Sequence, residues 1–145
     1  PILWCNNGRY LQERPIFTLD PLFHAGTYYV QEASSMFLEQ ALTQHVNLTQ
    51  PLNVLDLCAA PGGKSTHLLS LISPESLLIS NEINRTRANI LTENMQKWGH
   101  HNVVITNDNA ESFSNTKGFF DLIIIDAPCS GEGLFRKQPE AVQEW

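Results

Sequence analysis

The chain has no closely spaced cysteines. Cys5, Cys58 and Cys129 are its only three and form no CxxC pair, which argues against a disulfide framework or a structural zinc and for a reducing cytoplasm. Basic residues are also few. Nine Lys and Arg face fifteen Asp and Glu, for a net charge of -6, so this stretch alone lacks the clustered positive charge of a strong nucleic-acid binder. No apolar run is long enough to cross a bilayer, and no basic-then-apolar signal segment is present, so no membrane partner is expected. Repeats and low-complexity tracts are absent too. The chain opens on Pro1 rather than methionine and closes at Trp145 inside a helix-like pattern just begun, which reads as a piece of something longer. What remains is an ordinary globular composition, 42% hydrophobic and 17% charged over 145 residues, enough for one domain with one core.

Residues 1–33 mix turn formers with aromatics and hold no sustained period, so they read as a loop-rich lead-in to a domain over 34–145. From Ser34 or Ser35, a natural N-cap, apolar residues at Phe37, Leu38, Ala41, Leu42 and His45/Val46 predict a helix. Short apolar runs then alternate with helical patterns. Strands are expected at 53–57, 76–80, 102–106 and 119–126. Helices are expected at 62–73 and from Asn84 to Trp98, the second with an Ala88, Leu91, Met95 and Trp98 stripe and Gly99 as its stop. This order predicts an α/β domain: a mostly parallel sheet covered by helices, with right-handed crossovers and ligands at the carboxyl ends of the strands.

The residues that carry chemistry fall at those ends. In "DLCAAPGGKS" (56–65), small residues at 59, 60, 62 and 63 let a ligand approach the backbone that opens a helix. A phosphate-gripping GxxxxGK[ST] loop would need glycine where Cys58 stands, and GxGxxG is absent. A nucleoside cofactor with a carboxylate is the remaining ligand, set against a purely structural turn. Glu82 ends the second expected strand about 20 residues past the glycines, the spacing of an acid that accepts both ribose hydroxyls. Asp108 follows the third strand, where it suits an adenine amino group or a plain turn, and Asp126 ends the fourth. Three acids at three consecutive strand ends, with few cations nearby, suit S-adenosylmethionine better than ATP.

In their order and spacing, "DLCAAPGGKS", "NEI", "ND" and "DAPCSGEG" resemble the Sun/Nop family of RNA cytosine-5 methyltransferases. "HAGTYYVQEASSM" (24–36) is similar to the segment leading into that family's catalytic domain, and "GEGLFRK" looks most like its bacterial ribosomal-RNA branch, the methyltransferase F type. The resemblance covers roughly residues 20–145. It implies a Rossmann-like class I methyltransferase fold, here truncated after the fourth strand, with S-adenosyl-L-methionine as cofactor, ribosomal RNA as partner and no metal. Residue by residue, it implies that Cys58, Ala59, Ala60, Pro61, Gly62, Gly63 and Lys64 wrap the cofactor. Glu82 would hold its ribose and Arg87 would steady that acid. Asp108 would bind near the adenine, and Asp126 would sit between cofactor and target base.

The resemblance also implies the chemistry. Carbon 5 of cytosine is a poor nucleophile, so a thiolate first adds to carbon 6; carbon 5 then takes the methyl, and loss of its proton expels the thiolate. The base must leave its stack to be reached. The family uses two cysteines: a nucleophile downstream of the DAPCSG stretch, and the DAPCSG cysteine, here Cys129, which assists product release. In DNA cytosine-5 methyltransferases a similarly placed Pro-Cys supplies the nucleophile, so that role stays open for Cys129, as does a structural one. Arg136 and Lys137 are the expected local phosphate contacts, against a solvated loop. The rival reading from another class is a non-catalytic cofactor- or RNA-binding module of the same fold, with a P-loop hydrolase more distant.

Overall fold

The computed structural model describes residues 1–13, 16–129, 140 and 142. Four strands form one parallel sheet: β1 (Asn53–Asp56), β2 (Leu77–Asn81), β3 (Val103–Thr106) and β4 (Leu122–Ile124), in the order β3-β2-β1-β4. The chain winds outward from β1 to β3 and then crosses back to place β4 on the other side of β1. This reversal makes the carboxyl ends of β1 and β4 a switch point, where α/β sheets open a crevice.

Short helical elements precede the sheet: a 3-10 turn at Phe17–Leu19, α1 (Pro21–His24), a 3-10 segment at Ala33–Phe37 and α2 (Leu38–His45). The expected serine cap does not form. The helical stretch begins as the 3-10 segment after Glu32, which makes no side-chain cap, and turns α-helical only at Leu38. The expected apolar face of this helix holds only in part. Leu42 is buried and Leu38 and Val46 pack on the core, but Phe37, Ala41 and His45 are exposed while Glu39 is buried. Glu39 goes inside because it has partners there: the Asn6 backbone N–H donates to Oε1 at 3.0 Å, and His67 Nε2 lies 3.0 Å from Oε2.

Between the strands lie α3 (Gly63–Leu71) and α4 (Arg85–Trp98). The stripe and stop of α4 act as expected: Gly99 closes the helix at φ 76°, and Ala88, Leu91 and Met95 are buried with Trp98 packed beside them, while Asn84, expected as the first helical residue, is instead the cap and accepts the Arg87 backbone N–H. Leu68 and Leu69 of α3 join Leu91 and Met95 of α4 in one cluster with Val54 and Leu78 of the sheet. Leu68→Ala is expected to cost about 2–5 kcal/mol, the usual range for truncating a fully buried leucine. A urea midpoint within error of wild type would place Leu68 outside the core.

Helices α2, α3 and α4 pack on one sheet face, while the 3-10 segment Ala110–Asn115 brings Phe113 beside Leu55 on the other, where Leu55 is 2% exposed. On that second face Ile123, Leu55, Ile79 and Val104 stand in one cross-strand row, and Ile123 and Val104 are 50% and 48% exposed. The fourth strand is also shorter than its apolar run. Pairing with β1 stops at Asp56↔Ile124, Phe119 and Phe120 form a T-shaped pair before the strand, and Ile125 and Asp126 extend past it. No helix of the described residues is long and apolar enough to cross a membrane.

Candidate functional site

The loop after β1 is built by its small residues. Ala59 and Ala60 are buried, the Ala59 N–H donates to the Asn81 carbonyl at 2.7 Å, and the Ala60–Pro61 peptide is cis. Gly62 has φ 114°, and a Cβ there would come within 2.9 Å of the Met95 side chain. Any larger residue would therefore suffer both backbone strain and collision with α4. The second glycine serves a different contact: a Cβ on Gly63 would lie 3.1 Å from Gln31 Oε1. Gly62 is thus fitted to the scaffold, and Gly63 lets the lead-in segment come close to the start of α3.

Glu82 follows β2 and is 2% exposed. Its Oε1 accepts the Asn84 N–H at 2.9 Å, and Arg87 Nη1 lies 3.4 Å from Oε2, too indirect for a hydrogen bond by geometry. Oε2 is therefore a buried carboxylate oxygen with acceptor capacity to spare, as a pair of ligand hydroxyls requires. The same Arg87 donates from Nη2 to the Ala60 carbonyl at 2.7 Å. One guanidinium thus ties the glycine loop to the acid at the next strand end.

On the other side of β1, Lys64 Nζ meets Asp126 Oδ2 at 2.5 Å, with side chains 25% and 60% exposed. This pair spans the switch point. Lys64 and Arg87 are thus each paired with a carboxylate, Asp126 and Glu82. Asp108 lies exposed past β3, where the Ser112 hydroxyl and then the Asn109 N–H hold its carboxyl below the ordinary value. Cys58 is half-buried. Burial first, and then the carboxylates of Glu82, Asp56 and Asp126, push its thiol up, so it is not a ready thiolate. Cys129 is exposed, three residues beyond Asp126. Ser130 and the residues after it through Pro139, including Arg136 and Lys137, lie outside the described residues.

Two residues of this region escaped sequence reasoning. Asn81, inside the "NEI" already singled out, is 2% exposed and joins three strand ends. Its amide donates to the Leu57 and Asp108 carbonyls, and its oxygen accepts from the Thr106 hydroxyl and the Asp108 N–H, all within 3.1 Å. Asn81→Ala is expected to cost about 2–4 kcal/mol, four bonds at about 1 kcal/mol each. An unchanged denaturation midpoint would mean that these bonds contribute nothing net.

The second is Asp56 at the end of β1, fully buried. Its Oδ2 accepts from Ser65 Oγ at 2.7 Å, Ser65 in turn meets Ser80 Oγ at 2.8 Å, and its Oδ1 has no partner. Burial pushes this carboxyl up to about 6, against the Ser65 hydrogen bond and the Lys64 charge. Between the ordinary value near 3.8 and about 6, the folded state therefore binds the extra proton. The stability this group contributes is greatest below that window and is lost as pH rises through about 6. Two pKa units correspond to about 3 kcal/mol. The melting-temperature difference between Asp56→Asn and wild type is expected to shift in favour of wild type as pH falls from about 7.5 to about 5, the window given by that pKa. A difference that stays constant with pH would assign Asp56 an unshifted value.

Loop, buried acid, arginine tie and spanning ion pair all meet at the carboxyl edge of one parallel sheet. The family model for the 16S rRNA methyltransferase RsmB/F matches residues 43–144, and that for the N-terminal domain of 16S rRNA methyltransferase RsmF matches residues 1–33. Ribosomal RNA small subunit methyltransferase F of Shewanella woodyi is 37% identical over 148 residues, which take in all of this chain and 31% of that protein. The protein of the same name from Pectobacterium atrosepticum is 37% identical over 150 residues, with the same coverage. The chain thus spans 31% of the length of these curated relatives. The crystal structure of NSun6 from Pyrococcus horikoshii with SFG superposes with a TM-score of 0.70 at 27% identity, over 81% of this chain and 30% of that one. The O-methyltransferase TomG from Streptomyces achromogenes, in complex with SAM, has a TM-score of 0.55 at 21% identity over 79% of this chain and 52% of that one, a likeness of fold alone. With a family model matched across most of its length and full-chain relatives above 35% identity, this chain belongs to the RsmB/F family of 16S rRNA methyltransferases.

Proposed function

We propose that the chain is the cofactor-binding part of an RNA methyltransferase that moves a methyl group from S-adenosylmethionine to carbon 5 of a cytosine in small-subunit ribosomal RNA, in the cytoplasm. The observation that carries the reading is the buried Oε2 of Glu82, which has no hydrogen-bond partner and stands at the strand end next to the glycine loop. S-adenosylmethionine supplies an electrophilic methyl group when bound. Glu82 accepts the ribose hydroxyls, Arg87 holds Glu82 against the loop, and Cys58 through Lys64 line the cofactor. Asp108 lies on the adenine side. Asp126, steadied by Lys64, faces the target base and stabilises the charge that develops on its ring as a thiolate adds to carbon 6. In this reading the attacking thiolate comes from a segment beyond residue 145, and Cys129 assists its release. Residues 1–33 act as a lead-in to the domain that begins at residue 34.

The test is cofactor affinity. Glu82→Ala is expected to weaken S-adenosylhomocysteine binding by about 1–3 kcal/mol, the scale of hydrogen bonds to a charged acceptor, with ATP failing to bind either protein. Calorimetry that gives mutant and wild type equal affinity removes Glu82 from the site.

A further inference from the structure

Away from the crevice, three buried side chains from distant parts of the sequence meet under the lead-in segment. Cys5 is 5% exposed, Glu39 on α2 is 2% and His67 on α3 is 6%. Cys5 Sγ lies 3.7 Å from His67 Nε2, His67 Nε2 lies 3.0 Å from Glu39 Oε2, and the three donor atoms all fall within 4.8 Å of one another. We propose that Cys5, Glu39 and His67 form a zinc site that pins the N-terminal segment to the helix carrying the glycine loop.

The Cys5 thiol and the His67 ring both hydrogen-bond Glu39, so sulfur, nitrogen and oxygen donors crowd one buried point. His67 Nδ1, also buried, has no partner, so the ring is not held in place from its other side. A cation between the three donors satisfies all of them at once. Tetrahedral zinc, with bonds of ~2.0–2.3 Å to nitrogen, oxygen and sulfur, sets its ligands ~3.3–3.6 Å apart, so the 3.0 Å and 3.7 Å separations here reach it with shifts of a few tenths of an ångström.

The charges agree as well. Thiolate and carboxylate together offset a divalent ion, and imidazole adds no charge. A sulfur and nitrogen donor set selects zinc over magnesium or calcium. Glu39 is already oriented for one-oxygen ligation, because the Asn6 N–H holds Oε1 at 3.0 Å and leaves Oε2 facing His67. Cys5 and His67 also line a cleft of about 830 Å³, together with Gly8, Tyr29 and Thr66, which gives the ion an entry path and room for a water as fourth ligand. Sequence spacing argues against structural zinc, but it cannot register this cluster, because Cys5 and His67 are 62 positions apart and only the fold joins them.

Cobalt substitution in the intact protein provides the test, independently of methyl transfer. One equivalent of cobalt(II) added to metal-free protein is expected to give a tetrahedral spectrum with a thiolate-to-cobalt charge-transfer band, bleached by zinc. Cys5→Ser and His67→Gln should each lose that band, while Cys58→Ser should keep it. A wild-type protein with no such band, or a band that survives Cys5→Ser, overturns the proposal. Should a variant fail to fold, the wild type decides alone. Stoichiometric zinc in competition with a chromophoric chelator, with a melting temperature raised by zinc and lowered by chelation, supports the site; absence of both ends it.

Discussion

Replacing Cys129 by alanine in the full-length parent protein is expected to trap enzyme and RNA in a covalent complex. If Cys129 assists release, its loss leaves thiolate addition and methyl transfer intact and slows the elimination that frees the methylated RNA. The complex then persists through the other cysteine and runs as a slow band on a denaturing gel. If Cys129 is itself the nucleophile, the same variant forms neither adduct nor product. If it is structural only, turnover stays near normal and nothing is trapped. An inactive, adduct-free variant that still folds and binds cofactor would defeat the release assignment. The exposure of Cys129, just beyond Asp126, leaves it accessible to RNA in any of these roles.

The second large effect concerns the 145-residue chain by itself. Expressed alone, it is expected to transfer no methyl group to RNA, and adding the downstream part of the parent should restore transfer. Two observations motivate this. The chain spans 31% of its curated relatives, and the proposed nucleophile lies outside it. Among the described residues, Ile123 and Val104 on one sheet face are also half exposed, whereas parallel sheets are normally covered on both faces. Turnover by the isolated chain with tritiated cofactor would overturn the assignment and make Cys129 the nucleophile.

Local signals were read where the physics is local. Helix α4 appeared with its glycine stop and its buried stripe, because each depends on residues within one or two turns. The order of strands and helices likewise implied a parallel sheet and a ligand crevice at its carboxyl edge, and the residues of "DLCAAPGGKS" and "DAPCSGEG" pointed to the methyltransferase family that the relatives bear out. Reading failed where long-range partners reverse a local preference. Glu39 lies outside the apolar set expected for its helix and is nevertheless buried, because Asn6 and His67 satisfy it.

By itself, then, the sequence determined the alternation of elements, the close-approach loop and the acids at the strand ends. These follow from side-chain periodicity, the freedom of glycine and the place of a residue along its own strand. Only the tertiary structure decided that Arg87 links Glu82 to the Ala60 carbonyl, that Lys64 reaches Asp126, and that Asn81 joins three strand ends. It alone buried Asp56 and brought Cys5, Glu39 and His67 together. Hydrogen bonds, ion pairs and desolvation depend on distances of a few ångströms between residues that lie dozens of positions apart. No pattern along the chain encodes those distances until the sheet sets its register.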